Sequence, residues 1–154
     1  MSERIHTYFS YDGETGLPEE GIADFGGRPH YFWLNQCTSE PHCGLFDLAP
    51  ADVELFAMAR ELEAIWHEWD LAYHAGKKEL KTHPLRSGNN PRYVELSAQV
   101  SRRAEALRSM AKVATGVIST SAEYLARMQP FAGKKWPVPG TYSLELEGTW
   151  REAS

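Results

Sequence analysis

Glu63, His67, Asp70 and His74 follow one another at spacings of four, three and four residues, which on a helix sets them along one strip. Imidazole and carboxylate in alternation can share a proton or hold a divalent metal. His67 and His74 lie seven residues apart, about 10.5 Å of helical rise, so no single ion reaches both. Glu63, His67 and Asp70 are then the feasible set for acid/base or metal chemistry. The plainer account, and the one preferred, is a solvated helix face held by i,i+3 and i,i+4 pairs. His67-Glu68 does not open a zinc-protease motif, because Leu71 stands where its second histidine belongs.

A second group is Cys37, His42 and Cys43. These are residue types that zinc prefers, yet they lack the short cysteine spacing and the second matching pair of a ribbon or finger. A thiol activated by His42 is the other chemical option, and ordinary loop residues the plain one. His30 precedes an aromatic run, Tyr31, Phe32 and Trp33, and a second aromatic set, Trp66, Trp69 and Tyr73, lies farther on. As core these rings need no further explanation; as a pocket wall they would make His30 a polar handle for a ligand. The basic residues Lys77, Lys78, Lys81, Arg86, Arg92, Arg102, Arg103, Arg108 and Lys112 have only Tyr93 as an aromatic among them, so nucleic acid is not expected as a partner.

The elements that position these residues are legible from periodicity. From Pro50 to Gly76 the positions Leu55, Met58, Ala59, Leu62, Ile65, Trp66, Trp69, Ala72 and Tyr73 fall on one arc of a helix. Pro50 suits its first turn and Gly76 its end. Asn90 caps a second helix with Pro91 at its first position, and the apolar arc Tyr93, Leu96, Val100, Ala104, Leu107, Met110, Ala111 and Ala114 carries it toward Gly116. Upstream, Ile5–Tyr11 predicts a strand, and GIADF and RPHYFWL around Gly26-Gly27 predict a β-hairpin. Pro29 marks the start of its second arm or a sheet edge. Along that arm Tyr31 and Trp33 face one way, and His30, Phe32 and Leu34 the other. Leu45–Leu48 is a short strand, Val117–Thr120 is read as extended while Ala122–Met128 would also suit a helix, and TYSLELEGTW alternates as a strand. The expected fold is therefore α+β, a single domain over residues 1–154: an antiparallel sheet of about five strands with two long antiparallel helices packed on one face.

Composition limits the rest. With 154 residues, 42% of them hydrophobic, the chain can build a core without disulfide or metal. No apolar run approaches the roughly 20 residues of a membrane span. The amino terminus, MSERIHTYFSYDG, has no apolar stretch of the signal-peptide kind, so a cytoplasmic setting with reduced Cys37 and Cys43 is expected. Residues 1–76 carry 14 acidic against 3 basic side chains and residues 77–154 carry 7 against 13, net −11 and +6. Such halves can neutralise one another by packing together.

The segments GRPHYF and IWHEWDLAYHAG together resemble small bacterial proteins of unassigned function that pair a Gly-x-Pro-His-x-Phe hairpin with a Trp-x-x-Trp helix ending in Tyr or Phe, His, x, Gly. The resemblance implies the order of hairpin before helix and no activity. The residues favour a non-catalytic binding or interaction protein with no cofactor. It is expected to self-associate, or to engage a protein partner, through Tyr31 and Trp33, whose face of the hairpin needs a cover. The alternative is an enzyme built on His67, Glu63 and Asp70, with His30.

Overall fold

The computed structural model describes residues 2–11, 17–40, 42–86, 88–120 and 146–152. Its strands are β1 (Ser2–Tyr11), β2 (Pro18–Phe25), β3 (Arg28–Cys37), β4 (Cys43–Pro50), β5 (Lys112–Thr120) and β6 (Leu146–Glu152); the helices α1 (Val53–His74) and α2 (Pro91–Arg108) come between β4 and β5. Each strand pairs antiparallel with the next, and β6 returns to β1 to close a six-stranded barrel. The open sheet of about five strands is thus corrected: Ser2–Ile5 pairs with Leu146–Thr149, and no strand among the described residues is left as an edge. The label α+β gives way to a β-barrel bearing a helix pair. The reading of Ala122–Met128, and most of TYSLELEGTW, lies outside the described residues.

Local chemistry explains the connections. Gly26 and Gly27 adopt φ of 62° and 76°, the pair of positive values that a two-residue hairpin turn with the strand's own twist requires. Pro29 lies at the start of β3, opposite Asp24, and its carbonyl accepts from the Ala51 N–H at 3.0 Å. β3 is therefore a strand paired on both sides, not an edge.

The long helix begins later than Pro50 suggests. That proline ends β4, and Asp52 is the N-cap, its side chain accepting from the Leu55 N–H at 2.7 Å. At the other end Gly76, at φ 75°, lets its own N–H reach Tyr73 O and that of Lys77 reach Ala72 O, which satisfies two terminal carbonyls. Asn90 caps α2 as expected, accepting from Tyr93 N–H at 2.9 Å. α2 stops at Arg108, short of the expected end near Gly116. Residues 112–120 instead pair with both β4 and β6, and two ladders of hydrogen bonds outweigh the helix preference of Ala111 and Ala114.

Closure divides the core in two. Inside the barrel lie Ile5, Ala23, Phe32, Phe46, Leu48, Ala114 and Trp150, with the Phe46 and Trp150 rings edge to face at 5.1 Å and Phe32 on Phe46 at 5.8 Å. Glycines make room for them: a Cβ at Gly116 would stand 2.5 Å from the Trp150 ring and one at Gly44 2.7 Å from Leu34. Outside, Ile22, Tyr31, Trp33 and Ala49 are covered by Leu55, Met58, Ala59 and Leu62 of α1 and by Tyr93, Leu96, Val100 and Ala104 of α2. This explains why β3 is bulky on both faces: it is a wall between two cores.

The helices run antiparallel. Glu61 of α1 takes two hydrogen bonds from Arg92 of α2, at 2.9 and 3.0 Å, and Glu54 one from Arg103 at 2.9 Å, so position advances on one helix as it recedes on the other. These are the opposite charges of the two halves of the chain, here meeting across the helix pair. Being exposed, such pairs select orientation more than they stabilise. Arg103→Ala is expected to lower unfolding free energy by less than about 1 kcal/mol in a urea titration; a loss well above that would make the pair a principal support of the fold.

Candidate binding cleft between barrel wall and helix pair

Where the outer face of β2–β3 meets the helices, the apolar packing is incomplete. β2 and β3 present Glu20 and Tyr31, whose side chains point outward with Ile22 and Trp33. α1 contributes Leu62, Glu63 and Trp66, one turn of its inner margin, and α2 contributes Tyr93, Ser97, Val100 and Ser101. Ser97 and Ser101, four residues apart, interrupt the apolar arc of α2 with small polar side chains and leave a notch. The result is a cleft of about 160 Å³ lined by these nine residues.

Its electrostatics are unusual for a core margin. Burial pushes the Glu63 carboxyl up to about 8, only partly opposed by the positive charge of Arg60. The Arg60 guanidinium itself lies over the Phe56 ring at 5.7 Å. Among the described residues no hydrogen bond reaches the Glu63 carboxyl. Near neutral pH it is mostly protonated, able both to donate and to accept. Opposite it, the Tyr31 hydroxyl donates to Glu20, and burial, followed by the charge of Glu20, raises the phenol well above its ordinary range. Burial also raises Tyr93. Among the described residues no basic side chain lines the cleft.

The residues singled out from sequence are distributed as follows. Glu63 is in the cleft. Asp70 is buried, at 3% exposure, and His67 is partly buried; both lie farther along α1 and neither lines the cleft. Among the described residues no three His, Cys, Asp or Glu side chains are grouped to hold a metal. His30 shares the inner face of Phe32, opposite the helices, with Nδ1 2.8 Å from Arg28 O and its ring edge-on to Phe25 at 5.4 Å, so it cannot serve as a handle for the cleft. Cys37 and Cys43 are thiols beside the β3–β4 turn, where His42 is exposed at φ 56°. Tyr31 and Trp33, at 1% and 6% exposure, are covered by α1 and α2 of the same chain, which supplies from within the cover that a second molecule was expected to give. Arg108 adds to it, its guanidinium over the Trp33 ring at 5.4 Å. With Arg92 and Arg103 on acidic partners of α1, much of the basic charge of α2 is engaged internally.

Glu20, Tyr93, Ser97 and Ser101 were not foreseen as site residues. Glu20 falls in what reads as a polar loop, although it lies two residues before Ile22 and so on the same strand face. The paired serines were the more accessible signal, since nothing in a fully packed helix face asks for them. No helix among the described residues is long and apolar enough to cross a membrane. Neither family models, nor curated proteins, nor solved structures yield a match to this chain.

Proposed function

We propose that this is a non-catalytic binding protein that holds a small molecule in the cleft between barrel wall and helix pair. The observation that carries this reading is Glu63: a half-buried carboxyl at the margin of a core, without a hydrogen-bond partner among the described residues, and facing a cavity. An ionisable group placed so costs stability unless something else uses it. Aromatic walls with a few convergent polar groups are the usual make-up of a small-ligand site. The volume, about 160 Å³, is close to that of an engineered cavity of about 150 Å³ that holds benzene. The ligand, or the part of it that enters, is of that size. The setting proposed is cytoplasmic, where Cys37 and Cys43 stay reduced.

A second reading has one observation behind it. A carboxylic acid that keeps its proton near neutral pH is suited to general acid catalysis, which would make the protein an acid/base enzyme with Glu63 as the proton donor. Backbone amide NMR with a mixture of small aromatic and alicyclic compounds tests both. Shifts centred on Glu63, Trp66, Ser97 and Ser101, with every compound recovered unchanged, are expected. Shifts that avoid these residues remove the cleft as the site, and consumption of a compound, lost in Glu63→Gln, would establish the enzyme.

A further inference from the structure

Among the described residues, the cleft is lined by two carboxyl groups and no basic side chain. Glu20 and Glu63 both line it, its walls include the rings of Tyr31, Trp66 and Tyr93, and its remaining polar groups are the hydroxyls of Ser97 and Ser101. Each feature selects the same sign of charge. An anion would meet two acids with no counter-charge in the lining, and the faces of aromatic rings repel negative charge. A cation would meet carboxylate oxygens, serine hydroxyl oxygens and aromatic rings, to whose electron-rich faces a cation is attracted. Arg60, the basic residue that acts on Glu63 from its own helix, is turned toward Phe56 and does not line the cleft.

Resting on the small-ligand reading above, we propose that the ligand is a small organic monocation, its ammonium group bound by the carboxyls of Glu63 and Glu20 and its apolar body held against Trp66 and Tyr93. Binding exchanges one charge for another. The ammonium enters, the carboxyl proton of Glu63 leaves to solvent, and the Glu63 carboxylate and the ammonium form the pair, so net charge in the cleft is unchanged while a strong charge-assisted contact replaces an unpartnered acid. The titratable groups that line the cleft with Glu63 are Glu20 of β2, Tyr31 of β3 and Tyr93 of α2, with Arg60 acting from α1. Both tyrosines are raised by burial and keep their protons near neutrality, so they take no part in the exchange.

Isothermal titration with benzylamine, benzyl alcohol and benzoate at about pH 7, in two buffers of different ionisation enthalpy, tests this. Benzylamine is expected to bind at least about tenfold more tightly than benzyl alcohol, with release of close to one proton per ligand, and benzoate is expected not to bind. Glu63→Gln should abolish the proton release and weaken benzylamine about tenfold or more, removing most of its advantage over benzyl alcohol. Benzyl alcohol binding as tightly as benzylamine, or amine binding without proton release, overturns the cation and leaves the cleft standing as a site. Failure of all three probes to shift the amides of Trp66, Ser97 and Ser101 overturns both.

Discussion

Phe46→Ala is expected to remove about 3–5 kcal/mol of unfolding free energy. Phe46 is fully buried, on the inner face of β4, and its ring meets Trp150 of β6 and Phe32 of β3 across the barrel interior. Collapse around the truncated side chain is restricted. The neighbouring strands are tied on both sides in a closed ladder, and the adjoining inward positions, Gly44 on β4 itself and Gly116 on β5, have no side chains that could move into the space. The transfer term and the cavity term therefore both remain. Trp150 pairs with Gly116, so the Phe46 and Trp150 rings meet over that glycine of β5. Urea titration followed by far-UV circular dichroism gives the value. A loss below about 1 kcal/mol would show that the interior is not the packed aromatic core described here.

What could be read in the sequence was what local chemistry decides. The Asn90-Pro91 start of α2, the Gly76 end of α1 and the Gly26-Gly27 turn each depend on a few adjacent residues, and each is where the pattern placed it. The two faces of β3 were also legible, because alternation has a fixed period of two. Closure was not, since it depends on Ser2–Ile5 meeting Leu146–Thr149 across nearly the whole chain, and alternation is the same in an open and a closed sheet. The clue lay in inward positions left small, Gly44, Ala114 and Gly116, set against the large Phe46 and Trp150. Small barrels fill their interiors by such alternation, but Ala114 and Gly116 read more naturally as the tail of a helix.

The site shows the same division. Glu63 was recognisable as a residue capable of chemistry, but the partners proposed from spacing, His67 and Asp70, were the helix's own. Its companions in the cleft, Glu20, Tyr31 and Tyr93, come from other elements. Periodicity on one helix cannot report which strand that helix will cover.

Glu63→Gln is expected to change how stability depends on pH. In the unfolded chain this carboxyl titrates near its ordinary 4.5, and in the folded protein burial pushes it up to about 8. Between those values the folded state holds a proton that the unfolded state has lost, so the Glu63 contribution to stability is most favourable below about pH 4.5 and falls as pH rises toward 8. A shift of that size corresponds to roughly 3–5 kcal/mol lost across the window. Glutamine has the same shape and does not titrate. Other shifted groups, Glu61 lowered by its bond to Arg92 and His83 lowered by burial, are common to parent and variant and cancel in the difference. Urea unfolding between about pH 4 and 9, below the range where the raised Tyr31 and Tyr93 would titrate, should give near-equal stabilities at the acid end and a variant more stable by a few kcal/mol at the alkaline end. Parallel profiles would show that Glu63 is solvated in the folded state. The cleft would then lose its distinguishing group, because a carboxyl already in water has nothing to gain from a ligand that replaces its proton.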